Sequence, residues 1–224
     1  METHPISNGM KITKLGHCCM LIEEKGVRLL TDPGAFTTEK HASLTKLDAI
    51  LFTHEHADHY HLPSLQALLK GSPATKVFCN TGVAALLAKE SIQHEIVRDG
   101  DTTEVKGVAI EGHGTTHAII HSSLPQVQNT GFFIGGRLWY PGDELIIDPG
   151  VKPDVMALPV AGPWMKLSEA LDYALKLQPQ SVFPVHDLIL HPTNAGFVPR
   201  LAASILEPRG VRFFEVELDK EYEF

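Results

Sequence analysis

The chain has 224 residues and a formal net charge of −8, so it can bury a substantial core in one large domain or two small ones. The acidic balance and the lack of a Lys/Arg cluster exclude a long nucleic acid as partner and disfavour an anionic membrane surface. No apolar run approaches the ~20 residues of a membrane span, so no integral membrane association is expected.

Met1–Met10 carries no charged-then-apolar leader pattern. Cys18, Cys19 and Cys79 are odd in number and two are adjacent, a poor basis for disulfides, which points to a reducing cytoplasm. Small buried strand residues are the better reading of Cys18 and Cys19 than reactive thiols. The 13 histidines are the unusual feature, because several are clustered and imidazole is the commonest neutral metal ligand.

In chain order, Lys11–Leu15, Cys19–Glu23 and Val27–Thr31 are short, apolar-rich strands separated near Gly16 and Gly26. Thr31-Asp32-Pro33-Gly34 is a strand end running into a turn. Asp48–Thr53 is a strand with a wholly apolar middle, buried on both faces. Pro63–Lys70 suits a helix with Pro in its first turn and Gly71 after it. Lys76–Cys79 is a strand, and Thr81 can cap a helix through Lys89. Strands at Thr103–Val105 and Val108–Glu111 follow, then a Gly131–Ile134/Arg137–Tyr140 hairpin around Gly135-Gly136. Val155–Leu158 and Ser181–Val185 are strands, Leu167–Leu177 and Ala195–Leu206 helices, and Val211–Val216 a last strand. Both halves run strands first, then strand and helix alternating. Two mixed sheets packed face to face with helices outside cover both, giving an α/β fold of four layers, αββα, in one domain over 1–224. By pattern alone a two-domain α/β protein fits nearly as well.

The strongest chemical signal is Thr53-His54-Glu55-His56-Ala57-Asp58-His59, directly after the buried strand. Three imidazoles and a carboxylate leave one strand end in a single turn, which can aim them at two points a few ångströms apart. Two metals roughly 3.5–4 Å apart clamp an attacking and a leaving oxygen. Imidazole with carboxylate suits zinc, manganese or iron better than calcium or magnesium. The competing reading, a polar loop that is merely His-rich, does not account for so many ligand types at a buried strand end.

His54-x-His56-x-Asp58-His59 resembles the signature of the metallo-β-lactamase superfamily of metal-dependent hydrolases. Thr31-Asp32-Pro33-Gly34 resembles that family's early aspartate, Tyr140-Pro141-Gly142-Asp143 its Gly-Asp motif, and Pro184-Val185-His186-Asp187 its last histidine. The resemblance runs from about Gly16 to His186, and Leu15-Gly16-His17 is similar to a branch of lactonase-type and phospholipase-D-like members. It implies two divalent ions. His54, His56 and a third histidine would hold the first, Asp58, His59 and His186 the second, and Asp143 would bridge. His113 and His117 both follow one strand; His117 is preferred, because His113 sits between glycines in a loop.

Asp32 reads as a carboxylate orienting a ligating imidazole or as a turn residue. His17 and Trp164 are candidates to line the pocket or simply pack. His121 and His191 read as rim residues, and His4, His41, His61 and His94 as solvated or structural. The implied chemistry is hydrolysis by a metal-bridging hydroxide, with Asp58 or Asp143 taking the proton of the attacking water. No Gly-x-Ser-x-Gly elbow or Gly-Lys-Ser/Thr phosphate loop competes with it. The expected target is an ester, lactone or amide bond in a small soluble molecule. A small phosphodiester or phospholipid head group is the alternative. Non-catalytic metal binding and di-iron oxidation are weaker alternatives; the di-iron form usually has glutamate where this chain has His56. A homo-oligomer is compatible with the sequence, which has no coiled-coil pattern.

Overall fold

The computed structural model describes residues 9–194 and 196–224. His4, the leader reading of Met1–Met10 up to residue 8, and the helix start at Ala195 lie outside the described residues.

The first sheet contains β1 (Lys11–Gly16), β2 (Cys19–Glu24), β3 (Val27–Thr31), β4 (Ala49–Phe52), β5 (Lys76–Cys79), β6 (Glu95–Ile96) and β14 (Glu221–Glu223). Its spatial order is β14-β1-β2-β3-β4-β5-β6. The second sheet contains β7 (Thr102–Val105), β8 (Val108–His113), β9 (Gly131–Ile134), β10 (Leu138–Tyr140), β11 (Val155–Pro159), β12 (Ser181–Val185) and β13 (Arg212–Phe213), in the order β13-β12-β11-β10-β9-β8-β7. Each sheet is antiparallel in its hairpin part (β1-β2-β3, β7-β8-β9-β10), where short turns join the strands except for the long 114–130 connection between β8 and β9. Each becomes parallel where longer crossovers do (β3-β4-β5-β6, β10-β11-β12-β13).

The layers follow from which side chains are apolar. One buried cluster combines Ile12, Ile22 and Leu29 of the first sheet with Ile110, Phe132 and Phe183 of the second, so it fills the space between the sheets. On the outer face of the first sheet, Ile50 and Phe52 meet Leu65 and Leu68 of α2 (Leu62–Gly71) and Val83 and Leu87 of α3 (Thr81–Lys89). On the outer face of the second, Met156 and Leu158 meet Leu171 and Ala174 of α4 (Leu167–Leu177) and Ala202 and Leu206 of α5 (Phe197–Leu206). Each helix presents its apolar stripe at three- and four-residue spacing. Strands β4 and β11 are buried at every position because both their faces are covered. The αββα arrangement is therefore as expected.

Several details differ from the sequence reading. Asn80, not Thr81, caps α3: its side-chain oxygen accepts the Val83 N–H at 3.0 Å. The last predicted strand contracts to Arg212–Phe213, and α5 begins at Phe197. A one-turn helix α1 (Thr38–His41) and the strands β6 and β14 were not anticipated. β14 is Glu-Tyr-Glu, too polar to read as a strand, yet it pairs antiparallel with β1 at the sheet edge. Among the described residues no helix is long and apolar enough to cross a membrane.

Candidate metal centre

The carboxyl ends of β3, β4, β10 and β12 carry Asp32, the His54–His59 turn, Asp143 and His186 to one end of the sandwich. Ligand sites in α/β sheets lie beyond these ends, where loops leave the rigid frame. Two glycines allow the loops to meet. A Cβ on Gly34 would fall 1.8 Å from the Asp58 carbonyl oxygen, so only glycine lets the β3 loop lie against the histidine turn. Ala35 N–H then donates to the Ala57 carbonyl at 2.8 Å. Gly142, at φ +64°, sits where a Cβ would come 2.3 Å from Asn129 Oδ1. That Asn129 oxygen accepts the Asp143 N–H at 3.0 Å and its amide donates to the Pro141 carbonyl at 2.9 Å, which pins the Asp143 loop.

Asp32 is the hub beneath the histidines and is fully buried. Its Oδ1 accepts the Thr53 N–H at 2.9 Å. Its Oδ2 accepts the Thr53 hydroxyl at 2.7 Å and the Tyr140 hydroxyl at 2.5 Å, and lies 2.8 Å from His59 Nδ1. A carboxylate only accepts, so His59 carries its proton on Nδ1 and turns the Nε2 lone pair outward. Thr53 spends its proton on Asp32, so at 3.0 Å its oxygen accepts from His54 Nδ1, which sets His54 in the same tautomer. His117 Nδ1 lies 2.5 Å from the Ala118 carbonyl, again an acceptor only. His54, His59 and His117 therefore all present Nε2 lone pairs.

Two groups converge. His54, His56 and His117 form one; His59, His186, Asp58 and His17 form the other, each offering ligand atoms within 4.8 Å of one another. Asp143 touches both. Its Oδ2 lies 3.4 Å from His117 Nε2 and 3.1 Å from His186 Nε2, and its Oδ1 lies 3.3 Å from His59 Nε2. Asp58 Oδ2 is 3.4 Å from His186 Nε2 and 3.0 Å from His17 Nε2. The Nε2 atoms of His54, His59, His117 and His186 and Oδ1 of Asp143 are all buried without a hydrogen-bond partner. Buried polar atoms without partners are costly. Imidazole nitrogens and carboxylate oxygens converging on two points fit divalent transition-metal ions.

Electrostatics separates the two groups. Burial, reinforced by the surrounding histidines, lowers the pKa of His54 well below its ordinary value, and burial with His117 also lowers that of His56. Burial opposes protonation of His59 and His186 as well, but Asp143 outweighs it, raising His186 to about 10 and His59 well above the ordinary imidazole value. Asp143 is itself held far down, burial being overcome by His59 and His186. Asp58 is held low against burial by His17 and His186. A divalent cation competes with these protons for the same lone pairs.

All seven sequence-chosen residues, His54, His56, Asp58, His59, His117, Asp143 and His186, meet here. His113 does not. It closes β8 opposite Gly131, rather than lying in a loop as expected, and its ring packs edge-on against Trp139 at 5.6 Å. Trp164 stands over the site, with its ring 5.8 Å from those of both His117 and His186. His121 and His191 are exposed and bond locally to Ser123 and Thr193, as rim residues do. His17 is more central than a turn residue would be: buried, at φ +49°, and against Asp58. Cys18 is buried in the core between the sheets, as a small packing residue should be, and it also lies within 4.8 Å of His59 and Asp143 ligand atoms. The structural part of Tyr140 is not legible in the sequence; a tyrosine in a strand gives no hint that its hydroxyl reaches Asp32, just past the end of β3 in the other sheet.

A two-sheet αββα sandwich with histidines and aspartates gathered beyond its strand ends defines a class of metalloproteins. The beta-lactamase superfamily domain matches residues 11–186, a span that contains every ligand candidate. The chain belongs to the metallo-β-lactamase superfamily of metal-dependent hydrolases. It is 37% identical to protein Rv0786c of Mycobacterium tuberculosis, over 84% of this chain and 88% of that one. It is 27% identical to a UPF0173 metal-dependent hydrolase of Koribacter versatilis, over 80% and 84%. The structure of Igni18, a metallo hydrolase from the archaeon Ignicoccus hospitalis, superposes with a TM-score of 0.73 at 20% identity, over 96% and 98% of the two chains, and shares its fold.

Proposed function

We propose that this hydrolase holds two divalent ions, one on His54, His56 and His117 and the other on Asp58, His59 and His186, with Asp143 between them. On this reading it cleaves an ester, lactone or amide bond in a small soluble substrate. The observation that carries the reading is the convergence of buried, unpartnered Nε2 atoms and Asp143 Oδ1 on two neighbouring points. Zinc is the first candidate and manganese or iron the next, from the nitrogen and carboxylate donors. Bound there, such ions polarise a substrate oxygen and acidify water toward neutral pH.

The chain's own residues do the rest. Asp32, through Thr53, fixes the imidazole tautomers. Asp58 is the more exposed of the two central carboxylates, 22% against 2% for Asp143. Asp58 Oδ2 is therefore the better placed to take the proton of an incoming water, and His17 Nε2 at 3.0 Å holds it. Asp143 serves the two groups jointly. Trp164 limits access of bulk water from above. The chain reads as one hydrolase domain, 1–224, with every proposed ligand inside the matched span 11–186. Three free, buried cysteines support a reducing compartment such as the cytoplasm.

A steady-state screen of metal-loaded enzyme against lactones, aryl esters and bis-p-nitrophenyl phosphate tests the reading. Turnover of lactones or esters is expected. Turnover of the phosphodiester alone would replace the carbonyl substrate by a phosphoryl one.

A further inference from the structure

A cavity of about 560 Å³ opens beside His56 and is walled by the segment 118–127. Its size is that of a small-molecule pocket. It begins at the metal centre: His56 lines it directly, and Ala118, also in its wall, follows His117 and donates its N–H to the Asp143 carbonyl at 3.0 Å.

The wall is fixed in place. His117 N–H donates to the Val127 carbonyl at 3.1 Å, and Gln126 Nε2 to the His117 carbonyl at 2.8 Å, which close the segment on itself behind a ligand. Leu124 N–H donates to the His121 carbonyl at 3.0 Å and braces its tip.

The wall is mostly apolar. Ile120, Pro125 and Val127 line the cavity, the polar lining is limited to His56, His121, Ser122 and Gln126, and among the described residues no Asp, Glu, Lys or Arg lines it. Ile119 and Leu124, also lining residues, are 67% and 53% exposed. Single exposed apolar side chains are ordinary, but here they border one concavity that starts at a ligand. A phosphate or other anionic arm would find no Lys or Arg in this wall to pair with.

We propose that this cavity receives an unbranched or branched saturated acyl or alkyl arm of the substrate, entering past His56 from the His54–His56–His117 side. The inference rests on the hydrolase reading above and narrows its substrate to esters, lactones or amides bearing a hydrocarbon chain of several carbons.

The test uses the full-length, zinc-loaded protein and p-nitrophenyl esters from acetate to decanoate. Each methylene buried in the cavity should raise kcat/KM about fourfold until the cavity is filled, the equivalent of ~0.8 kcal/mol. Ile120→Trp and, at the exposed mouth where folding is not at stake, Leu124→Trp should shift the optimum to shorter chains, lowering kcat/KM for the decanoate ester relative to that for the acetate ester. Calorimetry of decanoate and acetate binding to the same proteins gives a readout independent of turnover. Ester turnover with no chain-length preference would overturn the pocket and leave the hydrolase reading standing. Decanoate binding more tightly than acetate, with the tryptophan variants removing the difference but no ester cleaved, would support the pocket and overturn ester hydrolysis. No turnover and no preference for decanoate would overturn both.

Discussion

Asp32→Asn isolates the hub under the metal centre with almost no change of shape. The Oδ2 position of Asp32 faces three donors, the Thr53 hydroxyl at 2.7 Å, the Tyr140 hydroxyl at 2.5 Å and His59 Nδ1 at 2.8 Å, and Oδ1 faces the Thr53 N–H at 2.9 Å. An amide has one oxygen and one NH₂, so in either orientation a donor is set against a donor. With the NH₂ toward His59, the hydroxyls can rotate, but the imidazole satisfies the new donor only by moving its proton to Nε2. That atom then has no lone pair for an ion. With the NH₂ toward Thr53, a buried backbone N–H loses its acceptor, at about 1–3 kcal/mol of fold stability. Losing an orienting carboxylate weakens metal binding about 10–100-fold, or ~1.4–2.7 kcal/mol. Zinc titration against a competing chelator reads this directly, with the greater loss expected at the ion held by Asp58, His59 and His186. Wild-type affinity for both ions in a folded Asp32→Asn protein would refute the tautomer reasoning.

Other predictions follow from single observations. His117→Ala should lower kcat/KM by at least about 100-fold and His113→Ala by less than about fivefold, because only His117 turns a free Nε2 into the site; steady-state kinetics giving the reverse order would exchange their assignments. Gly34→Ala places a Cβ against the Asp58 carbonyl, so the histidine turn must shift; thermal melts should show a loss of more than about 2 kcal/mol, and metal content should fall. His41 is buried with Nε2 unpartnered, and burial lowers it from 6.5 to about 4. The unfolded chain therefore takes up a proton between those pH values that the fold refuses. Stability is complete above about pH 6.5 and falls as pH drops toward 4, by up to ~3 kcal/mol from this group. Urea melts across that range should show a shallower acid limb in His41→Gln.

The strand ends that build the site were legible because each is a short apolar run broken by a ligand-type residue, as at Phe52–His54 and Val185–His186. The layering was legible for the same reason, since β4 and β11 are too uniformly apolar to have a solvated face. What escaped depends on pairs far apart in the chain. Tyr140 and Asp32 are 108 residues apart, one in the second sheet and the other just past the end of β3 in the first, so no local pattern links them. His17 meets Asp58 across 41 residues, from a turn whose sequence allowed either role. The choice between His113 and His117 depended on where β8 ends: the strand runs through His113 and carries its ring to Trp139, leaving His117 to the loop that enters the centre. β14 escaped because an edge strand of Glu-Tyr-Glu gains its place from backbone pairing with β1, not from apolar burial.

Two ions, one in each converging group, should be countable by elemental analysis of freshly purified protein beside its His59→Ala variant. About two equivalents of zinc, manganese or iron in the wild type, falling to about one in the variant, is the predicted result. No bound metal after reconstitution, or an undiminished two equivalents in His59→Ala, would contradict it.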